Sequence, residues 1–327
     1  MKRIFCEVVY FFRKYKGATA AVGLAAVLSG CAWLSDGSGA RAPVTPSVPA
    51  PGTSAVTPGS PVVSAPRPVV RPRIGLALGG GAARGFAHIG VLQVLEEQGI
   101  KPDLVVGTSA GSVVAALYAA GKNPTELGSM AMNLDESSIT DWVFPGRSLL
   151  KGEALARFIR TQTGGKQIEA MRLPLGIVAA DLQSGEPILF RRGDPGVAVR
   201  ASSAVPAVFE PVKMGGREYI DGGAVSPIPV RFAKQMGADV IIAVDISAIP
   251  QGRSTKGAVD ILLQTFNIMG HAISQHELAD ADVVIRPKLE GVGSADFSAR
   301  RLSILAGREA TLSVLPQLKE RIAARTR

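Results

Sequence analysis

A serine that attacks carbonyl carbon needs its hydroxyl held on a sharp turn, with amide hydrogens close by to receive negative charge. The stretch Gly107-Thr108-Ser109-Ala110-Gly111 has that form. It follows the apolar run Leu104-Val105-Val106 and precedes Ser112–Ala120, whose composition suits a helix. A lone Gly-x-Ser-x-Gly recurs by chance, but between a strand and a helix it predicts a nucleophile elbow. Ser109 stands at its apex, with Gly107 and Gly111 where the turn packs most tightly. The helix start directs backbone N–H groups toward developing negative charge.

A second group, Gly79-Gly80-Gly81-Ala82-Ala83-Arg84-Gly85, lies between the apolar run Ile74–Leu78 and a helical pattern from Phe86 to Gly99. Such a loop can offer several amides to an anion. A dinucleotide fingerprint fails because its sixth position is Arg84, and a Walker loop fails because Phe86 follows Gly85. An oxyanion hole or a plain tight turn remains. The third group is Asp221-Gly222-Gly223 after Glu218-Tyr219-Ile220: an unobstructed carboxylate at a strand end, or a common Asp-Gly turn. Asp245 and Ser247 also follow an apolar run, and suit site lining or capping equally.

The three histidines bear on whether a triad is present. The order Ser109, Asp221, His271 fits an α/β-hydrolase, but His271 and His276 fall within one helical stretch, and His88 lies on the first helix. Structural roles are expected for all three. No His/Cys/Asp/Glu spacing suits zinc and no acidic loop suits calcium, so neither a metal nor a cofactor is expected.

In combination these segments resemble the bacterial patatin-like phospholipase family and are similar to the catalytic domain of neuropathy target esterase. The resemblance rests on GGGAARG at 79–85, GTSAG at 107–111, ASSAVPAVFEPV at 201–212 and DGG at 221–223, and covers roughly residues 73–285. It implies a three-layer α/β/α sandwich around a mainly parallel sheet, and a Ser-Asp dyad with Ser109 as nucleophile and Asp221 as its partner. It places Gly79, Gly80, Gly81 and Arg84 in the oxyanion loop and Pro206 in a segment bordering the site. The substrate it implies is a phospholipid, lysophospholipid or related acyl ester. An acyltransferase using the same dyad, a Ser-His-Asp esterase and an inactive membrane-tethered binding module stand as alternatives.

The elements needed to position these groups are also legible. Apolar strands are expected at Leu175–Ala180, Ile188–Arg191, Val208–Val212 and Val240–Val244, and helices near Glu153–Thr161, Ile228–Met236, Val259–Ala279 and Ala299–Ala323. Near-continuous apolar strands alternating with helices indicate an α/β fold with a parallel sheet covered on both faces. A single domain is expected over 73–327. Its loop Ser137–Leu150 carries Trp142, Val143 and Phe144, which suit acyl-chain contact or core packing.

The first 72 residues differ in kind. Lys2, Arg3, Arg13, Lys14 and Lys16 precede an apolar run, Ala18–Leu28, that suits a secretory signal and is short for a bilayer span. It ends in Leu28-Ser29-Gly30-Cys31, which resembles a lipobox, so residues 1–30 read as a lipoprotein signal peptide and Cys31 as the lipidated residue. Only Cys6 would remain besides it, inside the removed segment, so no disulfide framework and no catalytic cysteine is expected. Ala32 points to the outer rather than the inner membrane of a bacterium. Residues 31–72 are rich in Pro, Ser and Ala without any period and read as a tether. Without residues 1–30 the net charge falls from +9 to +5, a modest attraction to anionic lipid. Scattered basic residues and 5% aromatics exclude a nucleic-acid platform.

Overall fold

Four five- to seven-residue runs of almost purely apolar sequence lie in the middle of the sheet and are buried along their whole length. The computed structural model describes residues 70–142, 148–250, 256–293 and 295–326. The expected signal segment, Cys31, nearly all of the tether, Val143 and Phe144 lie outside the described residues. In chain order the strands are β1 (Ile74–Leu78), β2 (Leu104–Thr108), β3 (Leu175–Asp181), β4 (Pro187–Phe190), β5 (Val212–Met214), β6 (Arg217–Asp221), β7 (Val240–Val244) and β8 (Val283–Ile285). The helices are α1 (Ala87–Glu97), α2 (Ala110–Ala119), α3 (Pro124–Met132), α4 (Glu153–Gln162), α5 (Pro195–Ser202), α6 (Val230–Gln235), α7 (Ala258–Leu278) and α8 (Arg300–Arg325).

Strands β3, β2, β1, β7 and β8 run parallel in that spatial order. Side chains alternate across a strand, and both faces are covered. Leu76, Leu78, Val105, Ile177, Ile242 and Val244 pack with apolar residues of α1, α2, α3, α4, α5 and α8. Ala77, Leu104, Val106, Val178, Ile241 and Ala243 pack against α6 and the end of α7. The result is the expected three-layer α/β/α arrangement.

The sheet is mixed rather than wholly parallel. β4 and β6 both pair antiparallel with β3, and β5 pairs antiparallel with β6. Short connections dictate two of these pairings: a parallel crossover takes a dozen or more residues, whereas five residues join β3 to β4 and only Gly215-Gly216 joins β5 to β6. Both of these glycines have positive φ, 60° and 78°, as tight hairpin turns require. The strand expected at Val208–Val212 is replaced by turns up to Pro211, with β5 starting at Val212. Pro206 and Pro211 bracket this stretch and withhold ladder donors. The helix expected at Ile228–Met236 begins only at Val230, just after Pro229.

Candidate active site

The pairing of β3 brings the two chemical segments together. Ile177 and Val178 pair with both β2 and β4, while Ala179 and Ala180 pair with both β4 and β6. β2 and β6 therefore share one edge of β3, running from opposite directions and meeting end to end. Ser109 follows the last residue of β2, and Asp221 is the last residue of β6. A side chain on Gly222 would sit 2.3 Å from the Val178 carbonyl oxygen, so only glycine lets the two strand ends close on each other.

Ser109 is the N-cap of α2, with φ 52° and ψ −124°, a conformation that costs a non-glycine residue roughly 1–3 kcal/mol. Neighbours enforce it. A Cβ on Gly111 would meet the Leu78 carbonyl oxygen at 2.1 Å, and one on Gly107 the Gly111 carbonyl oxygen at 2.4 Å. The Ser109 amide donates to Ser202 Oγ at 2.9 Å, and that hydroxyl donates in turn to the Val178 carbonyl. Thr108 Oγ1 donates to the Ser226 carbonyl at 2.8 Å. Ser202 was not singled out from sequence; its one signal is its place within the ASSAV segment.

The Ser109 hydroxyl donates directly to Asp221 Oδ2 at 2.6 Å, with no imidazole between them. Asp221 Oδ1 accepts the Gly223 amide at 2.7 Å. Both side chains belong to buried residues, Asp221 at 2% exposure. Burial pushes the Asp221 carboxyl up to about 6, against the lowering pull of the Ser109 hydroxyl and the Gly223 amide. Such a group is still ionised near neutrality and is a far better base than an ordinary aspartate.

The glycine loop lies beside this pair, since a Cβ on Gly80 would stand 3.1 Å from Ser109 Cβ. Not all of its amides are available, however. Gly79 N donates to the Val244 carbonyl at 3.1 Å and Gly80 N to the Pro227 carbonyl at 2.9 Å. The expectation that these two supply oxyanion donors is corrected, because β7 and the Pro227 loop already occupy them. Among the described residues, the amides of Gly81 and Ala82 have no such partner. Nor has Ala110, at the first turn of α2, where helices leave amides unpaired. Ala82 itself is held at φ 52°. Arg84 is buried and its Nε donates to the Gly81 carbonyl at 3.2 Å, so it braces the loop.

His88 is a support rather than a proton shuttle. It is fully buried, its Nε2 lies 2.9 Å from the Gly79 carbonyl oxygen, and burial pushes it down to about 4. A carbonyl only accepts, so the neutral ring carries its proton on Nε2. His271 faces the cavity and His276 is exposed, both on α7 as expected. Asp245 turns away to Ser247 and Arg286. Glu277, also on α7, accepts the Ser226 hydroxyl with both oxygens and pairs with Arg231. It thereby ties α7 to the loop after Asp221.

A cavity of about 640 Å³ opens over the pair, within the range of small-molecule sites. Its walls are mostly apolar, among them Ile89, Val113, Leu117, Leu127, Leu155 and Phe158. Trp142 joins them, as does Leu150 from the other end of the 137–150 loop. Val205, Val208 and Phe209, rather than Pro206, bring the 201–212 segment to the cavity. Among the described residues no cluster of His, Cys, Asp and Glu could hold a metal ion. A buried hydroxyl on a strained turn, a carboxylate of raised basicity, unpaired amides and an apolar trench are the parts an acyl transfer requires.

Residues 76–234 match the family model described as patatin-like phospholipase. Over that stretch, just under half of the chain, the sequence is similar to patatin-like phospholipases. Among curated proteins it is 35% identical over 206 residues to an uncharacterized NTE family protein of Mycobacterium tuberculosis, covering 62% of this chain and 57% of that one. It is 36% identical over 183 residues to human patatin-like phospholipase domain-containing protein 6, covering 54% of this chain and 13% of that one. The chain thus spans little more than half of the mycobacterial relative and a small part of the human one. Among solved structures, VipD from Legionella pneumophila has a TM-score of 0.51 at 12% identity, over 79% of this chain and 67% of that one. That likeness is one of fold. The matched stretch contains the glycine loop, Ser109, Ser202 and Asp221.

Proposed function

We propose that this protein is a serine lipid acyl hydrolase that cleaves carboxylic ester bonds of phospholipids, lysophospholipids or related acyl esters. The observation that carries the reading is the 2.6 Å contact between Ser109 Oγ and Asp221 Oδ2 at the floor of an apolar cavity. The family match adds the substrate class. Asp221 takes the Ser109 proton as Oγ attacks the ester carbonyl, and the amides of Gly81, Ala82 and Ala110 receive the oxyanion. Removing one such donor costs roughly 2.7–4 kcal/mol of transition-state stabilisation in other serine hydrolases. Collapse of the tetrahedral intermediate releases the alcohol, which leaves with the proton from Asp221. Water, deprotonated by the same carboxylate, then cleaves the acyl-enzyme and restores Ser109.

A fluorophosphonate probe tests the nucleophile: it should label Ser109 in the native chain and nothing in Ser109→Ala. Hydrolysis of a short-chain ester should fall by about 10⁴-fold or more in that variant, and by about 10²–10⁴-fold in Asp221→Asn. Because Asp221 acts as the base, kcat/KM should rise with pH through about 6 and level off above it. Full activity in Asp221→Asn would remove the dyad. Product analysis with added alcohol acceptors separates hydrolysis from acyl transfer. We further infer that Cys31 bears the lipid that holds the chain at the bacterial outer membrane; mass spectrometry of the native N-terminus tests this, and an unmodified Cys31 would refute it.

A further inference from the structure

Helix α7 turns apolar side chains outward as well as inward. Leu263, Phe266 and Leu278 face the protein together with Gln264, Asn267, His271 and Glu277, while Ile261, Leu262, Ile268 and Met269 face solvent, the last at 55% exposure. Between them the outward positions are Thr265 and, one turn on, Ala272, so three turns present no charge. A helix on a water-facing surface has the reverse pattern, and a contiguous exposed apolar patch marks a contact with something else.

What covers this face follows from where it lies. The other side of α7 supplies Leu263 and Phe266 to the walls of the apolar cavity. Trp142 both lines that cavity and is 77% exposed, so it stands at the mouth. Ile249, 59% exposed, adjoins the cavity residue Ala248 and Pro250, which α7 holds through Gln264. Exposed apolar side chains, Trp142 and Ile249, therefore stand at or beside the opening of a mostly apolar cavity. An indole at such a rim suits the headgroup level of a bilayer, and the net charge of +5 left without residues 1–30 adds a modest attraction to anionic lipid.

We propose that the outward face of α7, with Trp142 and Ile249, docks on a lipid bilayer and seats the cavity mouth against it. An acyl chain then passes from membrane to cavity without crossing water. The proposal rests on the lipid-ester reading and deepens it, but its test needs no catalysis.

The full chain carrying Ser109→Ala, Cys6→Ala and Cys31→Ala receives one new thiol, at Met269→Cys or, as a control, Glu320→Cys. Glu320 is exposed near the end of α8, whose Arg325 donates to the Asp239 carbonyl and the Asp282 carboxylate, just ahead of β7 and β8 and so at the opposite end of the parallel strands from Ser109. Each thiol carries an environment-sensitive fluorophore. With phosphatidylcholine/phosphatidylglycerol vesicles bearing brominated acyl chains, the label at 269 should shift to the blue and be quenched, and the label at 320 should not. No quenching at 269, or equal quenching at both positions, overturns the proposal. A blue shift that follows protein concentration without vesicles overturns it in favour of a second copy of this chain. Independently, Ile261→Ser/Ile268→Ser/Met269→Ser should lower vesicle partitioning about tenfold or more while leaving hydrolysis of a soluble ester unchanged. An inert native enzyme with quenching intact at 269 would defeat the hydrolase reading and leave the docking face standing.

Discussion

Ser109 and Asp221 each occupy a state that folding would otherwise avoid, one in its backbone and the other in its charge. At φ 52° a serine is strained where glycine is not. Ser109→Gly should therefore be more stable than Ser109→Ala by about 1 kcal/mol, read from urea midpoints; equal midpoints would mean the elbow holds little strain. For Asp221 the folded pKa lies near 6, raised from 3.8 by burial, so the folded state favours the protonated carboxyl. Its contribution is fully present below about pH 4 and is lost as pH rises through 6, leaving a cost of about 3 kcal/mol at neutrality. Asp221→Asn should thus raise Tm at pH 7.5 relative to the native chain, with the advantage vanishing near pH 4. A pH-independent difference would refute this. Ser109 and Asp221 were legible because their segments carry distinctive types at strand ends. The commitment of the Gly79 and Gly80 amides was not, because their acceptors belong to Val244 and Pro227, far along the chain.

Elements hold these residues through close contacts that only small side chains permit. Helix α1, which carries His88, crosses α8 almost backbone to backbone. A Cβ on Gly90 would lie 1.9 Å from the Ile304 carbonyl oxygen, and one on Gly307 2.0 Å from that of Ala87. The Gly79–Gly80 peptide is clamped at both ends, its carbonyl by His88 Nε2 and its amide by Pro227, so a displaced α1 pulls on the glycine loop. Gly90→Ala should destabilise by about 3 kcal/mol or more, beyond ordinary overpacking, and lower kcat for a soluble ester. Gly128→Ala, whose Cβ would meet only Gln93 Nε2 at 3.3 Å, should change stability by less than about 1 kcal/mol. Similar denaturation midpoints for the two variants would count against the crossing as a support. Helices α3 and α5 escaped the periodicity reading, yet their starts were written in sequence. Asn123 and Glu126 form a capping box around Pro124, and Asp194 caps Pro195. The β5–β6 hairpin was equally announced by Gly215-Gly216. The outward apolar face of α7 was not legible, since a helix with apolar residues on both sides does not say by its spacing which side meets the protein.

At the scale of the molecule, the stretch matched to the patatin-like family ends at residue 234, but the cooperative unit does not. β7 pairs with β1 along all five residues and with β8 on its other edge. It also supplies the Val244 carbonyl that fixes Gly79. Without β7, the strand leading into the glycine loop would become a bare edge of a parallel sheet, an arrangement that such sheets bury. α8 adds the cover: Leu318 and Thr311 are fully buried, and Arg308 pairs with Glu97 at the end of α1. Alternating apolar runs made these layers readable as a covered sheet, but not which strand became central, since β7 is late in sequence and inner in space. A fragment of residues 70–235 should therefore show no cooperative urea transition, whereas residues 70–327 should unfold in a single one, followed by far-UV circular dichroism. A chain ending at residue 298 should retain strand signal but expose the α8-facing side of α1, binding a hydrophobic dye and losing ester hydrolysis. A sharp transition with intact activity in the 70–235 fragment would show that the family-matched stretch suffices, and that β7 and α8 merely decorate it.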